Sequence, residues 1–301
     1  MRRLIESISA DGVRSRIDYE PPTPGLPLLN RGLPQRVTRT IDGQPLTTGV
    51  VYDEFGRPEI LSYPNIGSEG FGVRYDYDSA SGAITAVTDA TDGTVYWKLD
   101  SADDGVRVSA ETFGDGTHGE LEYHPTLKRI ERIATRRSSG TLETDLRYEY
   151  DELGRTASSR DATESLPFPS QWYYSYDERD QLISSTRLPD PTPTPEYTHD
   201  ALGNLSFQAG VGDYSYSTSN AYQLRGIGEH TYSPPDNSGR ITNRAGPLVP
   251  GQTQSIQYAE SDLPRRITTG TGASALVTEF DYTASSERAL ADGTARYVPI
   301  P

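Results

Sequence analysis

RYEYDELGRTASSRDA, residues 147–162, is the stretch whose reading decides the fold. Tyr148 and Tyr150 are separated by one residue, and Asp151, Gly154 and Arg155 follow. Side chains alternate along a strand, so Tyr-x-Tyr places both rings on one face. Asp-x-x-Gly then reads as a reverse turn. Asp suits its first position, where the carboxylate accepts backbone N–H bonds, and Gly suits its last. A Gly in the left-handed region closes a hairpin with a bulge. Residues from Arg155 onward begin the return strand, so the stretch predicts one hairpin.

The same pattern recurs along the chain. VVYDEFGRPEIL carries Tyr52, Asp53, Gly56 and Arg57, and VRYDYDSASGAITAV carries Tyr75, Tyr77, Asp78 and Gly82. YYSYDERDQLISS carries Tyr174, Tyr176 and Asp177, and YTHDALGNLSFQ carries Tyr197, Asp200, Gly203 and Asn204. Weaker copies centre on Tyr123, Tyr232 with Gly239, Tyr258 and Tyr282. Aligned aspartates are 25, 26 and 23 residues apart, and the one interval of 73 residues accommodates two decayed copies. Three copies depart from the pattern, with His124-Pro125, Pro234-Pro235 and Ser285-Ser286 where Asp and Gly are expected. A lone hairpin is not stable in water. Neighbouring units must therefore pair edge to edge into one long sheet, and large sheets twist and curl. A propeller fits less well, because its blades need about 40–45 residues each. No segment carries a helical stripe.

Composition agrees with this reading. The hydrophobic fraction is 34%, yet Tyr numbers 20 against 6 Phe, with 28 Gly and 22 Pro. Tyr prefers strands, buries a large ring and keeps a hydroxyl for a partner. Disordered chains are poor in aromatics, which argues against disorder. Pro-rich stretches at 21–30, 166–170, 188–196 and 247–251 read as loops between units, because Pro cannot donate to a sheet ladder. We expect residues 1–44 to form N-terminal strands and a Pro-rich loop at the edge of the structure, and 45–301 to form the repeat sheet.

The series Tyr-x-Tyr-Asp-x-x-Gly-Arg resembles the YD (Rhs) repeat over roughly residues 45–298. That family includes bacterial Rhs polymorphic toxins, the B–C components of Tc insecticidal toxin complexes, and the teneurin shell. Segments 201–216, 238–246, 259–267 and 280–298 also follow the order seen late in such a shell. The resemblance implies an all-β fold of tandem YD-repeat hairpins in a long, curved, spiralling sheet, a partial β-shell. It implies a structural role in a secreted or cell-surface bacterial protein, with the rest of the shell and an enclosed C-terminal toxin polypeptide as partners. It brings no catalytic residue, since the family's self-cleaving aspartyl site follows the repeats, whereas this sequence runs to Tyr297-Val298-Pro299-Ile300-Pro301. It also implies that these residues form one part of a shell.

Other functions have less to rest on. The net charge of −15 disfavours nucleic acid and anionic lipid as partners. Cysteine is absent, so there is neither a disulfide framework nor thiolate chemistry. His118, His124, His199 and His230 form no spaced metal pair. No apolar run approaches the ~20 residues of a membrane helix, and the N-terminal MRRLIESISADG lacks the core of a signal peptide. Acidic turns at 89–93 and 100–105 could ligate calcium but fit no EF-hand loop, and ordinary turns explain them better. GSEGFG at 67–72 lacks the strand-loop-helix setting of a phosphate cradle. Asp103 and Asp104 are the sole candidates we can name for a glycosidase, and adjacent residues diverge on a strand. Trp97 and Trp172 suit either a sheet face or sugar stacking, which keeps carbohydrate or cell-surface binding as an alternative. For the arginines after the turn glycine (Arg57, Arg155, Arg240), contact with a neighbouring Asp or Tyr face is favoured over anion binding. No cofactor or metal site is expected, and the chain reads as a non-enzyme.

Overall fold

The computed structural model describes residues 3–19, 32–65, 70–104, 107–163, 170–188, 196–291 and 295–296. The Pro-rich stretch 21–30, most of 166–170 and 188–196, residues 67–69 of the Gly-rich segment, Gly105 and the last five residues lie outside them. The remaining Pro-rich stretch, 247–251, is a loop as read.

The chain is all-β, as the repeat predicts. Strands from Glu6–Ile8 to Leu182–Leu188 form one 15-stranded sheet, and strands from Tyr197–His199 to Ala295–Arg296 form an 11-stranded one. In both sheets the strand order is the sequence order, and the pairings are antiparallel. Beyond strands, a single 3-10 turn at Gly272–Ser274 is the only helical element among the described residues. Tandem hairpins explain the order, since each strand pairs with the one just made.

Each repeat closes in the same way. Tyr150 pairs with Thr156, and the register slips by one residue between Glu149 and Tyr150. The same slip occurs at Tyr52, Tyr77, Tyr123, Tyr176, Tyr216, Tyr258 and Tyr282. A bulge at the second tyrosine raises local twist and turns the strand into the Asp turn. The glycines at 56, 82, 154, 203 and 239 all have φ between 73° and 87°, the left-handed region that favours Gly.

The chain divides into two compact units. One comprises residues 1–96, 235–243 and 249–301, and the other 97–234 and 244–248. Ile41 pairs with Gln44 across a tight hairpin turn.

In the first unit, the sequence's beginning meets its end. Val13 and Ile41 pack with Ala289, and Ala289 is fully buried. Arg39, almost completely buried, is ion-paired with Glu287. Asp11 receives Arg265 at 2.9 Å and the Tyr282 N–H at 3.1 Å. Burial, and then the Asp11 charge, push the nearby Asp281 carboxyl upward. A second cluster, Val50, Leu61 and Val73, is flanked by Tyr52, Tyr63, Tyr75 and Val87. Ile41→Ala leaves a cavity in the first cluster, and we expect a loss of about 3 kcal/mol in chemical denaturation. A loss within ~0.5 kcal/mol, typical of surface sites, would show that this junction does not contribute.

In the second unit, Asp145 is buried between two arginines. Arg132 donates through Nε at 2.8 Å and Nη2 at 3.2 Å, and Arg147 through Nε at 3.1 Å and Nη2 at 2.9 Å. Arg147, then Arg132, hold its carboxyl far below the usual range. A depressed folded pKa gives stability that is complete above the unfolded value, about 3.9, and is lost as pH falls through the folded value. Asp145→Asn removes the buried carboxylate that the two guanidiniums share, leaving Arg132 with Glu122 and Glu120, with an expected loss of about 2–3 kcal/mol at pH 7. The difference between variant and parent should shrink below pH 4, read from melting curves across pH. An equal difference at pH 7 and pH 3 would contradict this account.

Candidate functional site: the ladder along the turns

The repeat residues converge at the hairpin turns. Asp151 Oδ1 accepts from the Leu153 and Arg155 N–H groups at 3.0 and 2.8 Å, and Oδ2 accepts from Arg155 Nε at 2.7 Å. Asp53 makes the same three contacts with Phe55 and Arg57. Asp200 makes them with Leu202 and Asn204, whose amide replaces the guanidinium. Asp177 receives the Arg179 and Gln181 N–H groups. Asp78 heads a turn one residue longer, because Gly82 is four positions on, and it receives the Ala80 and Ser81 N–H groups. A carboxylate satisfying otherwise unpaired turn N–H groups explains the Asp preference at this position.

Asp236 also belongs to this set, although its copy reads as irregular in sequence. It receives Ser238 N, Arg240 N and Arg240 Nε at 2.9, 3.0 and 2.8 Å. Arg240, through its side chain and then its N–H, holds the Asp236 carboxyl below the usual range. The Asp-x-x-Gly-Arg spacing at 236–240 was legible; Ser233-Pro234-Pro235 separates it from Tyr232 and obscures it. The other irregular copies turn by substitution. His124 Nδ1 accepts from Thr126 and Leu127 N–H groups while Lys128 takes φ 58°, and Ser286 takes φ 66°.

Tyrosine and arginine tie each turn to its neighbours. Tyr150 Oη donates to Ile130 O, the first residue of the return strand one repeat earlier. Tyr52, Tyr77, Tyr176 and Tyr258 do the same to Pro34 O, Pro58 O, Thr156 O and Ile241 O at 2.7–2.8 Å. Burial raises the Tyr150 pKa. The arginine acts forward. Arg57 lies 4.2 Å from the Tyr77 ring centroid, Arg155 4.6 Å from Tyr176, and Arg240 4.9 Å from Tyr258. Arg155 and Arg240 also reach Asp180 and Asp262 in the next turns, at 2.6 and 2.8 Å. Where Arg is absent, Gln181 donates to Gly203 O and Asn204 to Ala221 O. The first tyrosine of each pair lies on the sheet face. Tyr75 flanks the Val50 cluster, Tyr174 hydrogen-bonds Ser159, Tyr148 pairs opposite Ser159, and Tyr197 pairs opposite Gln208.

The other candidates have ordinary partners. Arg107 reaches Asp103 and Asp104 together, and Lys128 reaches Asp104. Lys128 and Arg107 hold Asp104 below the usual range, opposite to what a general acid requires. Asp89 caps its turn and accepts the Tyr96 hydroxyl. Trp97 donates to Glu111 at 2.6 Å, and Arg187 lies 6.0 Å from the Trp172 ring. Among the described residues, no group of three or more His, Cys, Asp or Glu is placed to hold a metal. None of them forms a helix long and apolar enough to cross a membrane.

Tyr150→Phe removes one inter-repeat bond and leaves the Ile130 carbonyl without this donor, for an expected loss of about 1 kcal/mol by urea denaturation. Gly154→Ala forces a side chain to φ 78°, and a similar loss of about 1 kcal/mol is expected. Substitutions without effect would remove the ladder as a source of stability.

No family model and no curated protein matches the chain. Solved structures do. A chain in the crystal structure of TcdB2-TccC3-Cdc42 superposes with a TM-score of 0.59 at 18% identity, covering 93% of this chain and 20% of that one. TcdB2-TccC3 without its hypervariable C-terminal region gives 0.59 and 18%, covering 93% and 19%. The present chain thus spans about a fifth of the length of those chains. At this identity the likeness shows the fold, and the fold it shows is that of the Tc toxin TcdB2-TccC3 chains, the YD/Rhs-repeat fold to which the sequence points.

Proposed function

We propose that the chain is a structural wall segment of a YD/Rhs-repeat β-shell in a secreted bacterial toxin-type protein. In this reading residues 1–44 form an edge of the wall, and the wall helps to encapsulate a C-terminal toxic effector. The supporting observation is the ladder. The turns at Asp53, Asp151 and Asp177 are fastened both to the repeat before and to the repeat after, through Tyr150–Ile130 and Arg155–Asp180 in the clearest case. Such fastening propagates a sheet without a large core, and only ten hydrophobic residues are buried among those described. The similarity in fold to TcdB2-TccC3 over 93% of the chain supports the same reading. The Tyr, Asp, Gly and Arg positions of the repeats are then structural determinants, and the segment performs no catalysis. Recognition of carbohydrate or a cell surface is the second reading, supported by the polar trough described below.

The test is co-expression of the chain with the coding sequence that flanks it, followed by limited proteolysis. Encapsulation predicts that the enclosed polypeptide resists protease while the shell is folded and becomes sensitive after denaturation. A polypeptide cleaved equally fast in both states would overturn the proposal.

A further inference from the structure

An open trough of about 800 Å3 crosses four strands of the first unit: Arg14–Tyr19, Pro34–Ile41, Gln44–Tyr52 and Pro58–Ser62. That volume lies within the ~300–1,000 Å3 of ordinary ligand sites. Register places Arg16 opposite Thr38, Asp18 opposite Arg36, Thr38 opposite Thr47, and Gly49 opposite both Arg36 and Ser62. Directly opposed residues project from the same sheet face. The floor is kept low by Gly49, where a Cβ would come within 2.7 Å of Ser62 Oγ. Thr38 and Thr47 hydroxyls meet at 3.0 Å. Gln35 and Asn65 add amides, and Pro45, Val50, Val51, Tyr63 and Pro64 supply the apolar part of the lining.

The charge of the trough runs against that of the chain. It holds two guanidiniums and one carboxylate, within a molecule of net charge −15. Arg16 pairs with Asp18 at 3.0 Å, whereas Arg36 is exposed and meets no carboxylate among the described residues. An unneutralised guanidinium is suited to bidentate capture of a carboxylate. Hydroxyl and amide groups around it match a polyol. The four strands are each paired on both sides, so they offer no free edge for a peptide to add as a strand. Of the two aliphatic residues in the lining, Val50 is buried and Val51 alone is exposed, fewer than the series of anchors that an amphipathic helix requires.

We infer that this trough binds a short acidic oligosaccharide of the uronic-acid type, with Arg36 receiving the sugar carboxylate. Thr38, Thr47 and Ser62 face the sugar hydroxyls, and Gln35 and Asn65 bracket them. The inference deepens the carbohydrate reading above and does not depend on encapsulation. Loss of glycan binding leaves the protease experiment unaffected, and the converse also holds.

The experiment is calorimetric titration of the full chain at low salt with trigalacturonate, a neutral galactose trimer and a hexaglutamate peptide. Trigalacturonate should bind saturably, and the other two at least about tenfold more weakly, the step worth ~1.4 kcal/mol. Arg36→Glu should weaken trigalacturonate binding about tenfold or more, since it replaces attraction by repulsion at the contact. Thr47→Trp, which fills the trough, should abolish binding. Circular dichroism and the melting temperature identify the variants that remain folded. Absence of trigalacturonate binding by the parent, equal binding of the neutral trimer or of hexaglutamate, or parental affinity in either folded variant would overturn the inference.

Discussion

The structure depends on one bond repeated many times, from a tyrosine hydroxyl to the carbonyl that opens the return strand of the preceding hairpin. Tyr52, Tyr77, Tyr150, Tyr176, Tyr258 and Tyr282 all make it, across 18 to 20 residues of sequence in most cases. A hairpin by itself cannot bury enough surface to be stable. The tyrosine solves two problems together. Its ring covers the sheet face, and its hydroxyl fixes the distance to the neighbouring unit. That combination accounts for 20 tyrosines against 6 phenylalanines, because Phe supplies the ring but not the tie.

Arginine and aspartate complete the tie in the other direction. Asp holds its own turn closed, and the Arg bound to it leans over the next tyrosine, so the two contacts share one side chain. Each exposed ion pair alone contributes little. Their weight comes from the backbone bonds that the same carboxylate accepts and from the ring that the same guanidinium covers. Stability is therefore spread along the turns, in the manner of repeat proteins whose units contact chiefly their neighbours. Two places depart from this local scheme. Asp145 is buried between Arg132 and Arg147, and Asp11, Arg39 and Val13 join residues more than 240 positions away.

The fold was legible because its rules are local. Period-two tyrosines, an Asp at the head of a turn and a Gly at positive φ each act within about five residues, so spacing alone carries them. The copies at Asp53, Asp151 and Asp200 show how fully the pattern reports the turn. The copy at Asp236 shows its limit, since three inserted residues separate the turn from its tyrosine while the geometry persists. His124 and Lys128 show a second limit: after Tyr123, an imidazole nitrogen and a positive-φ lysine perform the roles of Asp and Gly where the sequence has neither residue.

The sequence by itself determined the hairpins, their order and their all-β class, because a strand that follows a tight turn pairs with the strand before it. The tertiary structure alone decided which hairpin each tyrosine and arginine would grip, because those contacts cross one repeat and depend on register. It also decided the junction of Val13 and Ile41 with Ala289, and the trough around Arg36. Neither has a local signature: Arg16, Arg36, Gly49 and Ser62 are scattered over four strands, and only sheet register brings them to one face.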